Sequence, residues 1–78
     1  MYPRNAITRG IEGWVELQFT ISGSGAVTDV TVVDADPKGL FDAAASKAVQ
    51  SWKYAPRVRE GRAVEQRGVR VVLRFDLD

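Results

Sequence analysis

Two segments in which apolar and polar residues alternate restrict this chain to folds built on a small antiparallel sheet. From Glu12 to Ser22, Val15, Leu17, Phe19 and Ile21 fall on one face and Trp14, Glu16, Gln18 and Thr20 on the other. That period of two belongs to a half-buried strand. Near the C-terminus Val69, Val71, Leu73, Phe75 and Leu77 alternate with Gly68, Arg70, Val72, Arg74 and Asp76. This last strand can begin as early as Arg62, with Gly68 marking a bulge or a weak point.

The residues between them supply the remaining elements. Ser22-Gly23-Ser24-Gly25 is a turn cluster, and Val27 to Asp34 is rich in β-branched residues, so the first alternating segment is read as half of a β-hairpin. Val30 and Val32 are expected on its core face. Leu40 through Trp52 sets Phe41, Ala44, Ala45, Ala48, Val49 and Trp52 on one side of a helix. Asp36-Pro37 is expected to start that helix, Asp36 as N-cap and Pro37 at the first position, unless Gly39 delays it. Ala55-Pro56 is expected to end it. The small alanines let the helix approach the sheet, and Phe41 and Trp52 are expected to anchor its two ends. A shorter helix, Arg4 to Arg9, follows Pro3 and stops at Gly10. Glu60-Gly61 marks a turn.

The expected fold class is therefore α+β, over a single domain spanning 1–78: a three-stranded antiparallel sheet of order 2-1-3 with a short N-terminal helix and one longer helix on one face. The third strand is then an edge. Such a short chain buries only about 60 to 65% of the surface its unfolded form exposes, so its core is thin.

Composition removes whole classes of chemistry. The chain has no His and no Cys, so Ser-His and Cys-His nucleophile pairs, thiolate zinc sites and disulfides are all excluded. Its carboxylates fall on solvent faces, turns or helix starts, and a one-helix layer leaves little room for a deep pocket. No catalytic, cofactor-binding or metal-ligating residue is expected. Gly23-Ser24-Gly25 joins two strands, whereas a phosphate loop leads from a strand into a helix.

A net charge of +1 does not argue for nucleic acid. From Arg57 to Arg74, however, six Arg face only Glu60 and Glu65, a positive strip that is either a solvated strand face or an attraction surface for an acidic partner. RNA binding by this strip would need aromatics for stacking, and none lies between Arg57 and Arg74. Trp14, on the polar face of its strand, either covers the open side against the N-terminal segment or forms part of a partner surface. Met1-Tyr2-Pro3-Arg4 does not open a signal peptide. Met1 reads as an added start residue on an excised domain, with any export signal or anchor outside it.

Tyr2-Pro3, seven residues, then Ile11-Glu12-Gly13 and a Val-rich strand resembles the opening of the TonB C-terminal domain family. Gly25-x-Val27 is similar to that family's hairpin. The most specific piece is Phe41 followed by Ala48-Val49-x-x-Trp52-Lys53-Tyr54-x-Pro56, Gly61-x-x-Val64 and Val71-x-Leu73-x-Phe75-x-Leu77. Ser24 departs from the Asp or Asn usual before the hairpin glycine, and the Arg57–Arg67 segment is longer than in some members.

The resemblance implies a non-enzymatic periplasmic domain of an energy transducer, held at the inner membrane by an N-terminal helix outside this sequence and working with ExbB and ExbD on the proton-motive force. Its partners would be TonB-dependent outer-membrane receptors for siderophores, cobalamin and similar nutrients, gripped through their TonB box. Monomer and strand-swapped homodimer both remain open, and so does a TonB-like interaction or dimerisation domain of a sensor or peptidase. The expected partner-binding residues are the edge-strand positions Gly68, Val69, Arg70, Val71, Val72, Leu73, Arg74 and Phe75, helped near one end by Tyr2, Pro3 and Arg4. An edge strand takes on a peptide through its unpaired N–H and C=O groups.

Overall fold

In the computed structural model, which describes residues 2–77 and Asn5 by its backbone alone, the first alternating segment becomes the central strand. The elements run α1 (Arg4–Arg9), β1 (Gly13–Ile21), β2 (Val27–Asp36), α2 (Asp42–Gln50), β3 (Arg57–Arg59), β4 (Arg62–Val64) and β5 (Gln66–Phe75). Met1, and with it the reading of an added start residue, lies outside the described residues.

β1 is flanked by β2 and β5, both antiparallel to it, giving the order β2-β1-β5. Val15, Leu17, Phe19 and Ile21 are all buried beneath α2, together with Phe41, Ala45, Val49 and Phe75. Val30 and Val32 are half-buried against that core. Burial of a large apolar side chain contributes about 1.5–3 kcal/mol, so this single layer accounts for most of the driving force. α1 ends at Gly10, whose φ of 67° supplies the left-handed C-cap.

Four expectations about boundaries and packing change. Asp36 does not cap a helix, because it is drawn into the ladder opposite Trp14 as the last residue of β2. Gly39 then turns the chain at φ 82°, and the Asp42 carboxylate accepts from the Gly39 N–H at 3.1 Å, so α2 begins at Asp42 with Phe41 in the N-cap position. The helix also stops at Ser51, well before Ala55-Pro56. The strand hairpin captures the chain there: Tyr54 N–H donates to the Gly25 carbonyl at 2.8 Å, and Lys53 bridges to Ala26. A Cβ on Gly25, whose φ is 90°, would sit 2.0 Å from the Tyr54 carbonyl oxygen, so only glycine permits this junction.

Of the two helix anchors, Phe41 is fully buried while Trp52, past the helix end, is half-buried and meets Tyr54 edge-on at 6.4 Å. Finally, the Arg57–Arg67 stretch contains a separate two-stranded hairpin, β3–β4, turned at Glu60 and Gly61 with φ of 51° and 77°. Two successive positive φ values match the right-handed twist of a tight hairpin.

Candidate functional site

The sheet has two free edges, and they differ in shape and charge. β2 departs from simple pairing twice, where one extra residue is inserted between the partners of Glu16 and Leu17 and another between those of Gln18 and Thr20. Asp29, inside the second irregularity, has φ 54°. Bulges twist an edge away from further pairing. β2 also carries Asp29, Asp34 and Asp36 and no basic residue. Lys38 binds Asp34 at 2.9 Å, and this contact, with the Ala35 N–H, holds the Asp34 carboxyl below its ordinary range.

β5 is the opposite case. Its register against β1 is unshifted from Val69 to Phe75, and its one irregularity sits between Phe19 and Ile21, where Gly68 takes φ 68°. Of the expected positions, Val69, Arg70, Val71, Val72, Leu73, Arg74 and Phe75 therefore form one straight edge strand, and Gly68 sits in the bulge before it. Val69, Val71 and Leu73 turn half-buried side chains toward the core, Phe75 is buried, and Val72 is 53% exposed on the face away from the helices.

The arginines of β5 lie on that open face and not along the edge. Arg70 Nε donates to Gln18 Oε1 at 3.0 Å and its terminal nitrogen is 3.6 Å from Glu16 Oε2. Arg74 stands opposite Trp14. Cross-strand polar contacts of this kind bind β5 to β1 and leave its far backbone unpaired. Trp14 is half-buried there, while Tyr2 of the N-terminal segment packs on the opposite, helix side, edge-on to Phe41 at 5.3 Å and to Phe75 at 5.5 Å.

Of the three N-terminal site residues, Tyr2 reaches β5. Its hydroxyl is within hydrogen-bond reach of the carbonyls of Ile11 and of Phe75, the latter at 3.2 Å. With a single proton it donates to one of them at a time. Pro3 is the N-cap residue of α1, and Arg4 is exposed at its first position. Neither is brought against β5 by any hydrogen bond or ion pair among the described residues. The sequence reading missed what locks the C-terminal end: Glu12 accepts from the Leu77 N–H at 2.6 Å.

Burial first, and then the charges of Glu12 and Asp76, push the Tyr2 phenol above its ordinary value. The folded chain thus prefers the neutral phenol, and the unfolded chain releases that proton earlier. Stability from this group is complete below about pH 10 and is lost as pH rises through the raised value. The unfolding midpoint should fall with a steeper pH slope above pH ~10 in the native chain than in Tyr2→Phe. Equal slopes in thermal melts across that range would show that Tyr2 is not held in this way.

A depression of about 470 Å³ between Tyr2 and α2, edged by Ala44, Lys47, Ala48 and Ser51, lies apart from β5. Ser51 there already donates its hydroxyl to the Ala48 carbonyl at 2.7 Å. Among the described residues, no three His, Cys, Asp or Glu are grouped so as to hold a metal ion.

Comparison with known proteins gives a consistent picture. The family model for the Gram-negative bacterial TonB protein C-terminal matches residues 1–77. Protein TonB of Pseudomonas aeruginosa is 37% identical over 71 residues, 91% of this chain and 21% of that protein. Protein tonB2 of the same organism is 35% identical over 77 residues, 99% of this chain and 28% of that protein. The chain thus spans under a third of the length of these relatives. The solution structure of the Pseudomonas aeruginosa TonB C-terminal domain superposes with a TM-score of 0.85 at 36% identity, covering 100% of this chain and 78% of that one. The Vibrio anguillarum TonB2 structure gives 0.76 at 44% identity, covering 100% and 74%. With sequence, family model and fold in agreement over essentially its whole length, the chain belongs to the TonB C-terminal domain family of energy transducers.

Proposed function

We propose that this chain is the periplasmic, receptor-gripping domain of a transducer anchored in the inner membrane, and that it takes up the TonB box of an outer-membrane receptor as an added strand on β5. It acts without enzymatic chemistry. Force derived from the proton-motive force through ExbB and ExbD reaches the receptor through this strand, in the service of siderophore or cobalamin import.

The observation that carries the reading is the contrast between edges. β5 is straight from Val69 to Phe75 and carries Arg70 and Arg74 on its open face, whereas β2 is bulged and acidic. An acidic partner is drawn to the first edge and repelled from the second. Each backbone hydrogen bond contributes about 0.5–1.5 kcal/mol net, so a handful gives an affinity around micromolar or weaker after ordering costs. Bonds lined up along a strand share a pull between them, which combines reversible binding with resistance to load.

Titration of the chain with a synthetic TonB-box peptide tests this, alongside capture of receptors from outer-membrane extract. Arg70→Ala should weaken peptide binding by no more than about threefold, and the difference should vanish at high salt, because Arg70 works at a distance from the edge. Absence of peptide binding, or its abolition by Arg70→Ala, would refute strand addition as the main contact.

A further inference from the structure

The strands of the β3–β4 hairpin are exposed at every residue but the half-buried Val64, and the hairpin stands at the end of the sheet where β5 begins. Only Glu65 separates the last residue of β4 from the first of β5. Ala63, the middle residue of β4, lies beside Gly23 of the β1–β2 turn, its carbonyl oxygen 3.6 Å from where a Cβ on Gly23 would stand. Its strands of three residues span about 10 Å, and β5 about 33 Å, at the usual rise per residue. The 51 Å long axis of the molecule fits an arm that continues the sheet.

The arm has two unlike faces. Arg59 is paired directly with Arg62, and Arg57 lies two residues from Arg59 on the same side. The other side presents Val58, 64% exposed, opposite Ala63. Like charges set directly across a strand pair repel. No ion pair among the described residues involves Arg57, Arg59 or Arg62, whereas the neighbouring Arg67 is held by Glu65 at 2.6 Å. Three guanidiniums therefore share one solvent face with no carboxylate of their own.

We infer that this face binds a short acidic stretch of the same polypeptide whose neighbouring segment is added to β5, so that the arm reads the residues flanking the docked strand. The inference rests on β5 being the accepting edge. A strand laid along β5 and continued past Gln66 runs onto the arm, and its carboxylates relieve the Arg59–Arg62 repulsion. Arginine forks suit carboxylates in this role. A lipid surface fits less well. Membrane adsorption needs exposed apolar groups beside the basic ones, and here the exposed Val58 points away from the arginines while Val64, on their side, is half-buried.

The probes are a TonB-box peptide and the same peptide extended by three Asp at its N-terminus or its C-terminus, titrated at low and physiological salt. The variant is Arg57→Gln, Arg59→Gln and Arg62→Gln together, all at exposed positions. One of the two extensions should tighten binding to the native chain about tenfold at low salt, from three exposed charge contacts. Which one does so gives the direction of the added strand. In the triple variant that gain should disappear while the unextended peptide binds as before.

If neither extension tightens binding, or the triple variant keeps the gain or weakens all three peptides alike, the arm does not read flanking residues. Loss of sedimentation with anionic lipid vesicles in the triple variant, with the peptide gain intact, would reassign the arm to a membrane and overturn the inference. A native chain that binds none of the three peptides would instead remove the β5 reading on which it rests.

Discussion

Phe41→Ala is expected to destabilise the domain by about 3–5 kcal/mol, the range for emptying a buried aromatic site. The side chain is fully buried, stacked on Phe75 at 4.4 Å with planes 14° apart, and capped edge-on by Tyr2. Removing it opens a cavity between the start of α2, the end of β5 and Tyr2. A chain of this length has about 4–12 kcal/mol in total, so the variant stands near the limit of folding. At about 4–8 °C per kcal/mol, its melting temperature should fall by at least ~12 °C. Trp52→Ala should cost roughly half as much, since Trp52 is half-buried beyond the helix end. Circular-dichroism melts decide between them. A Phe41→Ala chain that melts within a few degrees of the native one, or a larger loss for Trp52→Ala, would show that the helix is anchored from its other end.

The comparison of Phe41 with Trp52 also shows where the sequence was legible. Periodicity identified the buried side of α2 and of β1 because side-chain direction is fixed by local geometry. α1 and the Gly68 bulge were likewise readable, from a proline start, a glycine stop and a glycine inside a strand. Helix ends were not, since they are decided by tertiary capture. Asp36 had a better offer from the β1–β2 ladder than from a helix N-terminus, and Tyr54 bonds a turn that lies far from it in sequence.

The candidate site follows the same division. Order 2-1-3 and the free edge of β5 could be derived from handedness and strand count. The lean of Arg70 across the sheet to Gln18 and Glu16 depends on register, which no pattern in the sequence specified. The β3–β4 arm is the plainest omission. Glu60-Gly61 signalled a turn, but strands of three exposed residues, Arg-Val-Arg and Arg-Ala-Val, have too little alternation to distinguish from a loop. Two consecutive residues able to accept positive φ, set between short runs containing valine, were the available signal.

Proline substitutions at Val71 and Val72 should separate folding from binding. In an antiparallel pair, neighbouring residues direct their N–H groups to opposite sides of the strand, so one of these two donates to β1 and the other points to the open edge. Proline removes the N–H and fixes φ. At the inward position it breaks a ladder bond in a sheet of only three strands and should unfold the domain, at a cost of about 3 kcal/mol or more. At the outward position it is tolerated, as prolines on edge strands are, yet it deletes a donor in the middle of the accepting edge and places a ring where the added strand must lie. That variant should keep its melting temperature within a few degrees and lose TonB-box peptide binding by at least about tenfold. Val71 also packs against the core while Val72 is exposed, so Val71→Ala is needed to subtract the loss of the side chain from the loss of the N–H. The diagnostic result is one unfolded variant and one folded variant that no longer binds. Should both proline chains stay folded and both still take up the peptide, the added strand does not lie on β5.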